Sequence, residues 1–341
     1  MDDIEPCTIS KLDFPVYYYS SVSRIPNIDL NEHKRIRTNI KSGGLGNNHQ
    51  YYLPGNLLGF NSDFVVVAVR KFEISVSSKQ ASTDALDEQE ILNLYKLHHP
   101  NIVQMLGNGT LDSDRYLIFE YCHRTLAGAI DEGLTSNDFI TSSDFIRWAR
   151  EIAGGLNYLH VNDFSHGNLS PISILLDYHS VAKLTDFGIT ARIKPDEIDV
   201  SCTKTIYWHK APEQIDCENL DSERLKNSDI WSFGIVMWEM ITCRIPFEGI
   251  EDSSFSGVMD RKKLSPCLPT ESPFNCLVNL LNKCWNEDTA HRPTIFLVSS
   301  DHLPQITKEF EEEFYNGVVW RDECLNWVST SNTFESFVPH R

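Results

Sequence analysis

The sequence predicts an α+β protein in two lobes: a small antiparallel β-sheet lobe with one main helix, then a larger, mainly helical lobe. Three observations predict it. Strand signals crowd residues 36–121, where Phe64 to Val69 form a nearly continuous β-branched run. Helical periodicity takes over across residues 122–300. The composition, 41% hydrophobic and 23% charged over 341 residues, is that of an ordinary globular chain long enough to bury a core without disulfides or metal.

Taken in order, residues 1–35 are polar, carry Pro6, Pro15 and Pro26, and show no period of 3.6 or 2, so they read as an extended arm. After the Phe64–Val69 strand, Asp84 to Leu97 reads as a helix with Leu86, Glu90, Leu94 and Leu97 on one face. It stops before Pro100, because a residue ahead of proline is pushed out of the helical region. Tyr116-Leu117-Ile118-Phe119 is a second strand. Phe145, Trp148, Ile152, Leu156 and Leu159 recur at steps of three and four and predict an amphipathic helix over Ser143–His160, with the Gly154-Gly155 pair as its weak point. Ile230–Thr242 is apolar on every side and should be buried all round. Residues 301–341 form an acidic tail in which Leu303, Ile306, Phe310 and Phe314 lie at helical spacing ahead of Gly317, a C-cap. The simplest reading is one more helix on the large lobe, and a partner-docking helix is the alternative.

Thirty basic residues against 48 acidic ones give a net charge of −18. That argues against nucleic acid or an anionic membrane as a main partner, since both select a basic face. The nine cysteines are scattered, with no CxxC pair and no zinc spacing. The opening MDDIEPCTIS lacks the basic start and apolar core of a signal peptide, and no apolar run approaches the roughly 18 residues of a membrane helix. A reduced, cytoplasmic setting without a membrane span is the expectation.

Short motifs then follow in a fixed order. They are Val67-Ala68-Val69-Arg70, the helix bearing Glu90, His99-Pro100-Asn101-Ile102-Val103, and His166-Gly167-Asn168-Leu169-Ser170-Pro171. Next come Asp186-Phe187-Gly188, Ala211-Pro212-Glu213, Asp229-Ile230-Trp231-Ser232-Phe233-Gly234, and Cys284-Trp285 with Arg292-Pro293. In this order and spacing they resemble the protein kinase domain over residues 36–300. Their wording is similar to the tyrosine-kinase-like group, nearest the mixed-lineage kinases. Trp320-Arg321-Asp322-Glu323 resembles the segment that follows the domain in dual leucine-zipper kinases. The division this implies is an arm (1–35), a kinase-like domain (36–300, with lobes 36–121 and 122–300) and a C-terminal helical tail (301–341).

The resemblance implies ATP and Mg2+ as cofactors and assigns roles position by position. Nucleotide-binding positions fall on Gly43 and Gly46 of a glycine-rich loop and on Ala68, Arg70, Phe119, Glu120, Cys122 and Leu175, with Phe119 as gatekeeper. Asp186 takes the magnesium, and Glu90 pairs with residue 70, Glu88 being the alternative partner. His166, Phe187 and Leu94 form an internal stack anchored by Asp229, and Glu213 with Arg292 forms a buried ion pair. The departures are concentrated at the chemistry. Arg70 replaces a lysine, keeping the charge on a planar fork rather than a compact point, while Lys71 faces the other way on a strand. Lys41 replaces the first loop glycine, so a plain turn is the alternative reading there.

Where the family reads HRDLKPEN, this chain reads HGNLSPIS. Asn168 is a neutral amide at the base position, Ser170 stands for a lysine, and Ser173 for a metal-binding asparagine. The activation segment, 186–213, offers Ser201, Thr203, Thr205 and Tyr207, but Gly167 replaces the arginine that would receive a phosphate, and one extra residue precedes Ala211. Nucleotide and metal binding are therefore expected to be weak or absent. The pattern points to a pseudokinase, a scaffold or allosteric partner of signalling proteins or of another kinase. A weak or unconventional serine/threonine kinase, kept open by Asp186, Glu90 and Arg70, is the alternative. A docking protein that binds no nucleotide is the second.

Overall fold

The computed structural model describes residues 25–40, 48–58, 60, 62–74, 85–86, 88–112, 114–136, 139–187, 208–216, 220–246, 266, 268–269 and 271–331. The small lobe is a sheet in the order β1-β6-β7-β4-β3-β2, formed by β1 (Asn27–Asp29), β2 (Lys34–Ile40), β3 (Asn48–Pro54), β4 (Phe64–Ile74), β6 (Met105–Leu111) and β7 (Asp114–Glu120). Its centre is antiparallel. The two-residue alternation of a strand sorts its side chains. Val65, Val67 and Val69 of β4 join Tyr116 and Ile118 of β7 in one core cluster. Leu117, on the other face of β7, packs with Met105 and with Ile91 and Tyr95 of helix α1 (Glu88–Lys96). Each such apolar side chain contributes about 1.5–3 kcal/mol on burial.

Helix α1 is shorter than its periodicity predicts. Ala85–Leu86 instead form β5, paired in parallel with Glu73 and Ile74 at the end of β4, so backbone pairing draws this stretch out of the helix. The arm is more than extended: β1 pairs in parallel with β6, and Ile28 and Leu30 are buried in the small-lobe core. Bare backbone on β6 makes room for it. A Cβ on Gly107 would lie 2.9 Å from the Pro26 carbonyl oxygen, and one on Gly109 would lie 2.8 Å from that of Ile28.

The large lobe begins with β8 (Arg124–Thr125) and α2 (Leu126–Ser136) and centres on α3 (Ser142–Val161) and α5 (Ser222–Thr242), with α4 (Pro212–Asp216) just before α5. Thr141 caps α3 by accepting from the Asp144 N–H at 3.1 Å, and Phe145, Trp148, Ile152, Leu156 and Leu159 are all buried, as the spacing predicts. The glycine pair does not break the helix. A Cβ on Gly155 would come within 2.6 Å of the Asn101 carbonyl oxygen, so α3 runs unbroken beneath a closely crossing segment. Helix α5 is buried from Ser228 to Thr242, and Cys243 closes it at φ +50°.

Helices α6 (Asn275–Cys284) and α7 (Ile295–Leu297), followed by a π turn at Val298–His302, lead into the tail. The tail holds two helices, α8 (Leu303–Tyr315) and α9 (Trp320–Ser331). Leu303, Ile306 and Phe310 of α8 are buried in the large-lobe core, and Phe310 lies 4.1 Å from Phe274 between ring centres. Gly317 follows α8 at φ +92°, as a C-cap glycine should. Helix α9 is an addition to the sequence reading, and it buries Cys324 and Trp327. No helix of the described residues is long and apolar enough to cross a membrane.

The lobes are joined through two short strands, β9 (Ile174–Leu176) and β10 (Ala182–Leu184). Leu184 donates to the Asn101 carbonyl at 2.9 Å and accepts from Val103 N–H at 2.9 Å, while Asn101 Nδ2 donates to the Ala182 carbonyl at 3.0 Å. This fixes the His99–Val103 segment to the strand that delivers Asp186.

Candidate functional site: the interlobe cleft

Strand β4 presents Ala68 and Arg70 to the cleft, β7 delivers Phe119 and Glu120, and β9 delivers Leu175 from below. These line one cavity with Cys122 and Asp186, so six of the predicted nucleotide-binding residues and the predicted metal residue meet in space. Glu90, half-buried on α1, is not in that lining. Among the described residues the cavity holds about 20 Å³, against roughly 300–1,000 Å³ for a small-molecule pocket. Phe119 fills it from behind, packing against Val103, Cys122 and Leu175. Gly43 and Gly46, Lys41, and residues 188–207 of the activation segment lie outside the described residues, as does the side chain of Glu88.

Arg70 forms an ion pair through Nη1 with Asp186 Oδ1, with side chains 15% and 4% exposed. Asp186 holds a left-handed backbone, φ +64°, which aspartate tolerates better than most residues. Lys71, on the opposite face of β4, pairs instead with Asp114 at 2.5 Å on the exposed edge. A second cation, Lys183 on β10, reaches Glu120 Oε1 at 2.9 Å, and Gln104 N–H donates to the same oxygen at 2.7 Å. Burial opposes charge on Lys183, but the Glu120 carboxylate outweighs it and raises the ammonium above its ordinary pKa. Burial likewise pushes the Cys122 thiol well up. The sequence reading missed Lys183, since a lone lysine on a strand normally reads as solvated.

The catalytic-loop positions lie beneath the cleft. Asn168, Ser170 and Ser173 are all buried. Ser173 Oγ accepts from Ser170 N–H at 3.0 Å and lies within bonding distance of the Asn168 and Ser170 carbonyls, at 3.1 and 3.0 Å. That hydroxyl serves the loop's own backbone. Magnesium demands near-octahedral oxygen ligands at roughly 2.0–2.1 Å. Here Asp186 is paired with Arg70, Ser173 is turned inward, and no group of three or more His, Cys, Asp or Glu able to hold a metal gathers among the described residues. The residues present do not fit a magnesium ion.

Most supporting positions are bonded, His166 Nε2 being buried without a hydrogen-bond partner among the described residues. Asp229 accepts from the N–H groups of His166 and Gly167 at 2.8 Å each, and pairs with His160 Nε2 at 2.9 Å. The rings of His166 and Phe187 meet edge-on at 6.4 Å, and Leu94 packs against core clusters on both sides of the cleft. Burial holds His166 below its ordinary pKa of 6.5, although Asp229 and Asp186 pull the other way. Arg292 binds Glu213 through both outer nitrogens, at 2.5 and 3.0 Å, with its side chain fully buried. Before Ala211, where the chain carries its extra residue, His209 Nε2 meets Glu239 Oε2 at 2.6 Å inside the core. Gln214 Nε2 donates to the Gly167 carbonyl at 2.9 Å, tying the end of the activation segment to the catalytic loop.

Comparison with known proteins agrees with this geometry. Residues 38–301 match the family described as protein tyrosine and serine/threonine kinase. The chain is similar to mitogen-activated protein kinase kinase kinase 12 of Rattus norvegicus, 32% identical over 247 residues, which covers 70% of this chain and 26% of the relative. Mitogen-activated protein kinase kinase kinase 13 of Bos taurus is 31% identical over 246 residues, with 70% and 24% covered. The kinase kinase kinase dlk-1 of Caenorhabditis elegans is 32% identical over 231 residues, with 67% and 23% covered. The chain thus spans about a quarter of the length of the relatives it matches. With the two-lobed fold, the ordered motifs and the family match in agreement, this chain belongs to the protein kinase family.

Proposed function

We propose that this kinase-fold chain is a pseudokinase, a scaffold or allosteric partner in signalling with weak or no phosphotransfer. The observation that carries the reading is the catalytic loop. Where a base, a cation and a metal ligand are needed, it holds a neutral amide and two serines, and the Ser173 hydroxyl is bonded to the loop itself. A positioned base alone is worth about 10²–10⁴ in rate, and the charge on the transferred group loses its support as well. The small cavity around Arg70 and Asp186 supports the companion proposal that ATP and Mg2+ bind weakly or not at all. Its partners would be signalling proteins or another kinase in a cytoplasmic setting, with residues 36–300 as the kinase-like unit between an arm and a tail.

The test is phosphate transfer from labelled ATP by the folded chain, to itself and to a generic basic substrate, beside an Asp186→Ala control. No transfer above the control is expected. Transfer that vanishes with Asp186→Ala overturns the reading in favour of an unconventional kinase.

A further inference from the structure

We infer that Arg70 is the resident cation of the cleft: its guanidinium holds the Asp186 carboxylate where a divalent ion would have to bind, so the unaltered chain takes no divalent cation there. The inference rests on the pseudokinase reading and adds how the site came to be closed to metal.

Four features of the cleft support it. The pair is largely out of water, with side chains 15% and 4% exposed, so solvent and salt screen it little. Arg70 starts from a fixed place on the cleft wall, its backbone in register with Asn48 of β3 on one side and Leu117 of β7 on the other. No other described cation near the cleft is placed to relieve it: Lys183 is committed to Glu120, and Lys71 is on the far face of β4 with Asp114. The remaining protein oxygen expected for a metal, Ser173 Oγ, is engaged with the loop backbone. A doubly charged ion brought to Asp186 would therefore meet a fixed positive charge at close range and gain few ligands in return. Arginine suits this place better than lysine would, being more weakly hydrated and never deprotonated.

The inference predicts that removing a cation creates a metal site. The probe is Mn2+ alone, titrated into the full chain and followed by loss of the free-ion electron paramagnetic resonance signal. The unaltered chain and Asp186→Asn should bind Mn2+ alike, through surface acids only. Arg70→Gln should gain a site tighter by roughly 100-fold or more, from the lost repulsion between like charges, and Arg70→Gln with Asp186→Asn should lose it again. The inference is overturned if the unaltered chain holds a Mn2+ that Asp186→Asn removes, or if folded Arg70→Gln gains no site. Should Arg70→Gln not fold, the comparison of the unaltered chain with Asp186→Asn decides alone. Mn2+ at Asp186 without phosphate transfer would sink the resident-cation assignment and leave the pseudokinase reading standing. Asp186-dependent transfer from ATP would sink the pseudokinase reading itself.

Discussion

Two arginine–carboxylate pairs, one in the large lobe and one in the cleft, are built from the same chemistry and used differently. Arg292 grips Glu213 with both outer nitrogens, sends Nε to the Asn286 carbonyl at 2.9 Å and Nη1 to that of Asn227 at 3.1 Å, and lies over the Trp231 ring at 5.2 Å. Arg70 commits a single nitrogen, Nη1, to Asp186 among the described residues. A guanidinium with its whole fork satisfied is a fixture of the fold, since moving it breaks several bonds at once. A guanidinium held at one point is a contact that a local change can undo. The difference separates what this chain keeps for shape from what it has changed in its chemistry.

The strongest way to break that comparison is to remove each cation. Arg292→Gln should cost about 3–5 kcal/mol, because Glu213 is left without its counter-ion inside the lobe. Arg70→Gln should cost only about 1–3 kcal/mol, since Arg70 gives up one bond where Arg292 gives up four. Urea unfolding of the two variants measures both, and equal losses would mean the cleft pair is as structural as the other. Next, Ser173→Ala should cost about 1–3 kcal/mol by leaving the buried Ser170 N–H without an acceptor. The restored loop Asn168→Asp, Ser170→Lys, Ser173→Asn should also be less stable than the unaltered chain, because it puts an ammonium where the buried Ser170 stands, and thermal melts would show it.

Smaller effects sharpen the picture away from the cleft. Gly109→Ala should cost on the order of 1 kcal/mol, because its Cβ would press on the Ile28 carbonyl, and hydrogen exchange at Asn108 N–H, which donates to the Pro26 carbonyl, should speed up. The smallest expected effect is a pH slope. Burial lowers the pKa of His49, His99, His166 and His302 below 6.5 in the fold. On acidification the unfolded chain therefore takes up protons first, so stability is full above pH 6.5 and falls below it. Unfolding midpoints at pH 7.5 and 5.5 measure the slope, and His166→Asn should flatten it.

Much of this architecture was legible in the sequence, and what was hidden has identifiable causes. The buried faces of α3 and α5 follow from repeating apolar spacing, a local signal. The Arg292–Glu213 pair and the Asp229 clamp on the catalytic loop followed from motif resemblance, and the contacts are present in this chain. The end of α1 at Glu88 was misread, since pairing of Ala85–Leu86 with β4 is a tertiary event that periodicity does not carry. The need for glycine at 155 was hidden for the same reason: the Asn101 segment that requires bare backbone there lies far away in sequence. Helix α9 did leave a signal, Trp320, Cys324 and Trp327 at steps of four and three. The Lys183–Glu120 pair left none, its partners being 63 residues apart.

The arm strand and the tail helices bear on how this protein can be handled. A fragment cut at residues 38 and 301, the limits of the family match, would keep the whole cleft and still behave badly. Without β1, the edge of β6 would offer open N–H and C=O groups beside two glycines, an invitation for copies to stick edge to edge. Without α8 and α9, Phe145 and Phe274 would lose Phe310 and Trp320, their aromatic cover. Such a fragment should precipitate where residues 25–331 stay dispersed, and its insolubility would be an artefact of trimming rather than a property of the kinase fold.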